Sequence, residues 1–202
     1  IPDSTVCLTA DDGYANLRTE ALPLLQRYGW PMTVFVCTEQ VDTGRPLHLG
    51  WDDLRALQRE GWTIASHGTT HDHLVARRDG ESEAAWRQRV RANIAGSVER
   101  LRQELGDRVP DLFAYPYGEY DPALQAVVRE LGLVAFGQHS GAIGPGSDRT
   151  ALPSFPVSGP YSDPDQVVFK AATLPLPVTA TEPASPVLPP DMARPTLTVT
   201  VG

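Results

Sequence analysis

Cysteine is nearly absent, with only Cys7 and Cys37 in 202 residues. Both sit in apolar, strand-like runs and read as buried free thiols. Two cysteines leave the redox compartment open. Long apolar stretches are missing too: no run reaches the roughly 18 residues that a membrane-spanning helix needs. Positive charge is scarce, with 17 Lys and Arg against 25 Asp and Glu and a formal net charge of -8. Such a surface repels phosphate backbones, which excludes nucleic acid as the expected partner and suits a neutral or cationic substrate better. No internal repeat is found. What remains is an ordinary globular composition, 41% apolar and 21% charged. At this length one domain with a sizeable core is expected. The chain opens at Ile1, as a mature or trimmed product does, and no signal peptide is visible.

Short apolar runs alternate with helical patterns. Strands are expected at residues 6–9, 33–37, 62–65, 112–115 and 133–136, with a sixth near Phe155-Pro156-Val157. The first helix should bury Leu17, Ala21, Leu24, Leu25 and Tyr28 and end at Gly29. A loop over 42–50 leads to a short helix over 51–60. A long helix over 82–105 carries Val90, Ile94, Leu101 and Leu105 at helical spacing and stops at Gly106. Asp121-Pro122 is a helix start, with Asp as the cap and Pro in the first turn. Leu124, Val127, Val128 and Leu131 form its buried stripe. Another helix can begin at Asp163-Pro164.

This alternation predicts an α/β fold with a parallel sheet, open or closed into a barrel. Polar clusters after the strands favour the barrel, because barrel enzymes build their sites on that face. From Pro153 onward proline is dense, and residues 181–195 read as an extended linker. Residues 196–201 alternate as a half-exposed strand does, which suggests a β-rich module beyond them or a chain cut short there. The expected division is a catalytic domain over 1–160 and a Pro-rich extension over 161–202.

The chemistry lies in the clusters. Asp11 and Asp12 follow the first strand, in Thr9-Ala10-Asp11-Asp12-Gly13. His67 and His71 follow the third, four residues apart. Imidazole nitrogen and carboxylate oxygen are ligands for zinc and similar divalent ions. Two imidazoles and one carboxylate leave a coordination position open for water. The other carboxylate can then remove the water proton. Tyr115-Pro116-Tyr117-Gly118 can offer a backbone N–H to a developing oxyanion. Taken singly, Asp-Asp-Gly and Pro-Tyr-Gly are ordinary turns and His-x-x-x-His an ordinary surface pair. Their order, each after a strand, is what argues for a site.

These residues resemble the polysaccharide deacetylase family, the NodB-homology or carbohydrate esterase family 4 enzymes, over about residues 4–160. Thr9 to Gly13 is similar to its Thr-Phe-Asp-Asp-Gly motif, His67 to His71 to its His-(Ser/Thr)-x-x-His motif, and Ala114 to Gly118 to its Arg-x-Pro-Tyr-Gly motif. The resemblance implies a distorted (β/α) barrel of about seven strands. It implies Asp11 as general base and Asp12, His67 and His71 as ligands of a divalent metal, usually zinc, with cobalt or nickel as alternatives. The Tyr117 N–H would serve the oxyanion. The substrate would be an N-acetylated glycan, and the location extracytoplasmic.

Three departures stand out. Ala10 replaces a bulky Phe. Gly68 replaces Ser/Thr, which predicts a looser ligand loop. Ala114 stands where an Arg normally braces the catalytic aspartate. The 113–118 and 41–57 stretches resemble the branch that deacetylates poly-β-1,6-N-acetylglucosamine. No late Leu-x-His motif follows residue 140, so His139 becomes the candidate general acid. His73 is expected beside the site or exposed, and His48 has no assigned role. Two other functions use the same residues: hydrolysis of a small amide or cyclic imide, or a degenerate glycan-binding module.

Overall fold

The computed structural model describes residues 5–183, Arg194 and 196–202. Five strands form one parallel sheet in sequential order: β1 (Thr9–Ala10), β2 (Thr33–Val36), β3 (Thr63–Ser66), β4 (Leu112–Ala114) and β5 (Val134–Phe136). The helices between them are α1 (Leu22–Gln26), α2 (Thr38–Asp42), α3 (Trp51–Arg59), α4 (Glu83–Leu105) and α5 (Pro122–Glu130). Beyond the sheet, α6 (Pro164–Ala171) precedes an antiparallel pair, β6 (Val178–Glu182) and β7 (Thr198–Val201).

Strand alternation divides the core. Val34, Val36 and Ile64 face outward and join Leu54, Leu57 and Leu101 of the helices. Phe113 and Ala135 do the same with Trp86, Val90, Ile94, Leu124 and Val127. Burying one such side chain contributes about 2 kcal/mol. The residues between them, Phe35, Ala65 and Ala114, point to the opposite face and cluster there with Leu112 and Phe136. His67 follows Ala65 by two positions and shares that inner face.

The expected helix ends are found where local chemistry supplies them. Ser82 caps α4 by accepting from the Ala85 N–H, and Gly106 ends it with φ +76°. Asp121 caps α5 through the Leu124 N–H at 2.7 Å. Asp163 caps α6 in the same way.

Several expectations need correction. The first strand is Thr9–Ala10, not residues 6–9, because Val6 and Cys7 are exposed. Cys7 is therefore not a buried thiol, whereas Cys37 is. In the first helix Leu24 and Tyr28 are exposed, while Leu17, Ala21, Leu22 and Leu25 pack on the core. The cause is a π-helical turn over Leu17–Ala21, whose extra residue rotates the buried face. Residues 155–157 form no strand. Instead Leu152 makes a single parallel bridge to Phe136 at the β5 edge. Among the described residues the parallel sheet has five strands, not about seven. The strand expected over 196–201 is β7, and its partner β6 takes up the start of the expected linker. The rest of that linker, 184–193 and 195, lies outside the described residues.

Candidate metal centre

Asp11 and Asp12 leave β1 at its C-terminal end. The turn is tight: Asp12 has φ +67° and Gly13 φ +67°, and the Gly13 N–H donates to the Asp11 carbonyl at 2.9 Å. A Cβ on Gly13 would lie 2.6 Å from Val36 Cγ1, so only glycine lets this turn press on β2. A left-handed aspartate is strained. Its effect here is to swing the Asp12 carboxylate toward the neighbouring strand end.

His67 directly follows β3 and is 1% exposed. Its backbone N–H donates to the Val36 carbonyl at 2.9 Å, and its Nδ1 meets the Ala114 carbonyl oxygen at 2.9 Å. That oxygen can only accept, so Nδ1 carries the proton and Nε2 presents a lone pair. Nε2 is buried and has no hydrogen-bond partner. An unpartnered buried nitrogen costs stability unless something binds it.

The Asp12 Oδ1 lies 3.6 Å from that Nε2 and 3.4 Å from His71 Nε2. The three ligand atoms fall within 4.8 Å of one another. A tetrahedral ion about 2.1 Å from each ligand holds them about 3.4 Å apart. The donor set and its spacing therefore fit a divalent cation. Burial, with His67 alongside, holds the His71 imidazole below its usual range, which favours the neutral form a metal requires.

Asp11 is the carboxylate outside this triangle. Burial pushes its pKa up and the Asp12 charge adds to the rise, while His67 and an amide hydrogen bond oppose it. That amide is Gln138 Nε2, 3.4 Å from Asp11 Oδ2. The sequence did not single out Gln138; its only signal is its place beside His139 in the polar cluster after β5. Ala114 offers no charged group here, and its side chain belongs to the inner-face cluster.

Tyr117 sits in a 3-10 turn, Pro116–Gly118, with φ +60°. First-turn N–H groups have no acceptor within a helix. The Tyr117 ring packs edge-on against His71, with centroids 4.3 Å apart, and stacks on His73 at 4.0 Å. His73 is exposed and pairs with Glu119 at 2.9 Å. A surface cleft of about 420 Å³ adjoins this turn, lined by Val75, Gly118, Glu119, Tyr120 and Asp121. His139 lies at the surface with its Nδ1 3.4 Å from the Tyr120 hydroxyl, and partial desolvation of its ring lowers its pKa. His48 packs on Tyr14 at the far side of the first turn.

The looser loop expected from Gly68 is not what the structure contains. Gly68 has φ +89°, and a Cβ there would lie 2.6 Å from Asn93 Oδ1. The small residue admits Asn93, which fastens the loop.

Fold and site together define a parallel α/β protein with a candidate divalent-metal centre at the carboxyl ends of its strands. A family model described as polysaccharide deacetylase matches residues 1–136, and the chain belongs to that family. It is 26% identical over 169 residues to poly-β-1,6-N-acetyl-D-glucosamine N-deacetylase of Escherichia coli (strain K12), a match covering 67% of this chain and 25% of that protein. The chain thus spans about a quarter of that relative. Among solved structures it is similar to IcaB from Ammonifex degensii, with TM-score 0.71 and 25% identity, covering 86% of this chain and 75% of that one. The BpsB deacetylase domain from Bordetella bronchiseptica shares the fold, with TM-score 0.68 and 24% identity over 76% of this chain and 71% of that one.

Proposed function

We propose that this chain removes N-acetyl groups from an acetylated polysaccharide, using water activated at a divalent-metal centre. The observation that carries the reading is the convergence of Asp12, His67 and His71 on one point, with the buried His67 Nε2 unpartnered. A cation held by these three residues would polarise the acetamide carbonyl and lower the pKa of a water to about 7. Zinc suits one carboxylate and two imidazoles, and cobalt or nickel fits the same donors.

The chain's own groups supply the remaining steps. Asp11, its pKa raised by burial, takes the proton from the attacking water. The Gln138 amide holds Asp11 Oδ2, which leaves Oδ1 free to accept that proton. As the acyl carbon becomes tetrahedral, the Tyr117 N–H donates to the oxyanion. One such donor is worth about 3 kcal/mol. His139 is our candidate for protonating the leaving amine. Its neighbour Gln138 already touches Asp11. The C–N bond then breaks, leaving acetate and a free amine on the glycan.

The E. coli relative makes poly-β-1,6-N-acetylglucosamine the first polymer to test. We assign the reaction to an extracytoplasmic compartment, residues 1–160 to the catalytic unit, and 161–202 to an extension of it. Acetate release tests the proposal on that polymer, chitin oligomers and acetylated xylan, with chelator and with zinc restored. Release from an N-acetylated polymer, lost on chelation and regained with zinc, is expected. Full activity in chelator refutes the mechanism, and release only from small amides redirects the substrate.

A further inference from the structure

His67 and His71 are held in different ways, and the difference points to a residue outside the site. His67 is fixed by its strand and by Ala114. His71 lies four residues on, in a segment with no regular secondary structure. Among the described residues only Asp12 meets its Nε2; its ring packs on the edge of Tyr117 and beside the His67 ring, and the Tyr117 hydroxyl donates to its carbonyl at 3.4 Å. Its backbone enters from residues 68–70, so where His71 stands also depends on what holds them.

Two helices hold them. The first amides of α2 take the carbonyls: the Thr38 N–H donates to Gly68 O at 3.2 Å and the Glu39 N–H to Thr69 O at 2.9 Å. Asn93, midway along α4, takes the other side. Its Oδ1 accepts from the Thr69 N–H at 3.1 Å, its Nδ2 donates to Thr70 Oγ1 at 2.7 Å, and its carbonyl accepts from Thr69 Oγ1 at 2.8 Å. One glycine makes room for this contact: a Cβ on Gly68 would lie 2.6 Å from Asn93 Oδ1. One α4 turn from Asn93, Ser97 joins Ser66 at 2.9 Å, and Ser66 Oγ accepts from the Gly68 N–H at 3.1 Å. The segment is thus bonded to α4 at three residues, Ser66, Thr69 and Thr70.

We infer that Asn93 is a positioning residue for metal binding, setting where His71 stands by clamping Thr69 and Thr70. The inference rests on the reading of Asp12, His67 and His71 as metal ligands. Asn93 touches neither metal nor substrate. Its two amide groups match one N–H and one hydroxyl of the loop; an aliphatic side chain of the same size would fill the space, leaving the Thr69 N–H only the Asn93 main-chain carbonyl at 3.2 Å and the Thr70 hydroxyl no partner on residue 93.

The test is zinc affinity by competition with a chromophoric chelator, measured beside thermal melting of the zinc-free protein. Asn93→Leu keeps the volume and removes both polar groups. It is expected to weaken zinc binding about ten- to a hundredfold, the usual cost of losing a group that orients a ligand. Asn93→Asp keeps the accepting oxygen and is expected to stay within about threefold of wild type. Thr70→Val breaks one of the three side-chain contacts and should fall between them. The absorption bands of the cobalt-loaded protein should change in Asn93→Leu and not in Asn93→Asp. A purely structural role would lower the melting temperature of Asn93→Leu and leave its zinc affinity unchanged, and that result overturns the inference. If Asn93→Leu does not fold, wild-type affinity in Thr70→Val overturns it instead. A wild-type chain that takes up no zinc overturns both the inference and the site on which it rests.

Discussion

His67 and His71 point at the same aspartate oxygen from opposite kinds of backbone. His67 directly follows a buried strand, is 1% exposed, and its ring is locked by a main-chain carbonyl. His71 is carried by a loop and its side chain is 22% exposed. The strand end supplies rigidity, while the loop supplies reach and solvent access. The hydrolytic site proposed above would use both, one ligand preorganised and the mouth open to water and substrate.

The sharpest way to break this comparison is to remove each imidazole in turn. Both His67→Ala and His71→Ala should abolish metal uptake. In the metal-free state only His67→Ala should be destabilised, by about 3 kcal/mol in urea melts, because it leaves a cavity and an unpaired Ala114 carbonyl. His71→Ala should remain within about 0.5 kcal/mol of wild type. Equal destabilisation by the two would mean that the loop is not the softer support.

Gly118→Ala probes the third turn. Its Cβ would lie 2.6 Å from Gln138 Cβ, at φ +68°. A loss of about 1–2 kcal/mol in stability is expected, with a fall in kcat as Gln138 is pushed from Asp11. Gln138→Ala removes only the amide bond to Asp11. A roughly fivefold lower kcat at unchanged metal affinity is expected, the worth of about 1 kcal/mol. The smallest effect concerns the thiols. Cys7 is exposed, whereas Cys37 donates to the His67 carbonyl at 3.3 Å beneath the strand-borne ligand, and burial pushes its pKa up. A thiol reagent at pH 8 should modify Cys7 in the native protein and Cys37 only after unfolding, with no change in metal content when Cys7 alone has reacted.

The same contrast between strand and loop explains what could be read from the sequence. His67 and the two aspartates are legible because apolar strands announce their own ends, and the residues that follow must lie on the carboxyl face of a parallel sheet. The long helix is legible because Val90, Ile94, Leu101 and Leu105 keep helical spacing between the Ser82 cap and Gly106. Other features carry no such signal. Helix α2 has five residues, too few for a periodic pattern. The π turn before α1 shifts the buried face without any residue that marks it. The Leu152 bridge pairs one residue, and strand patterns need several. Asn93 and Gln138 are amides, and an amide on a helix or after a strand reads as surface until the loop it touches is known. The departure at Gly68 looked like a weakness for this reason: its meaning lies in a partner 25 residues away.

The central claim is that three side chains hold a cation while Asp11 stays unligated beside it. Metal content and acetate release measured together on Asp11→Asn test it most directly. The account predicts one divalent ion per chain, as in wild type, with turnover lowered about 10²- to 10⁴-fold, the usual contribution of a general base. Loss of the ion together with Asp11, or turnover that survives the substitution, would contradict it.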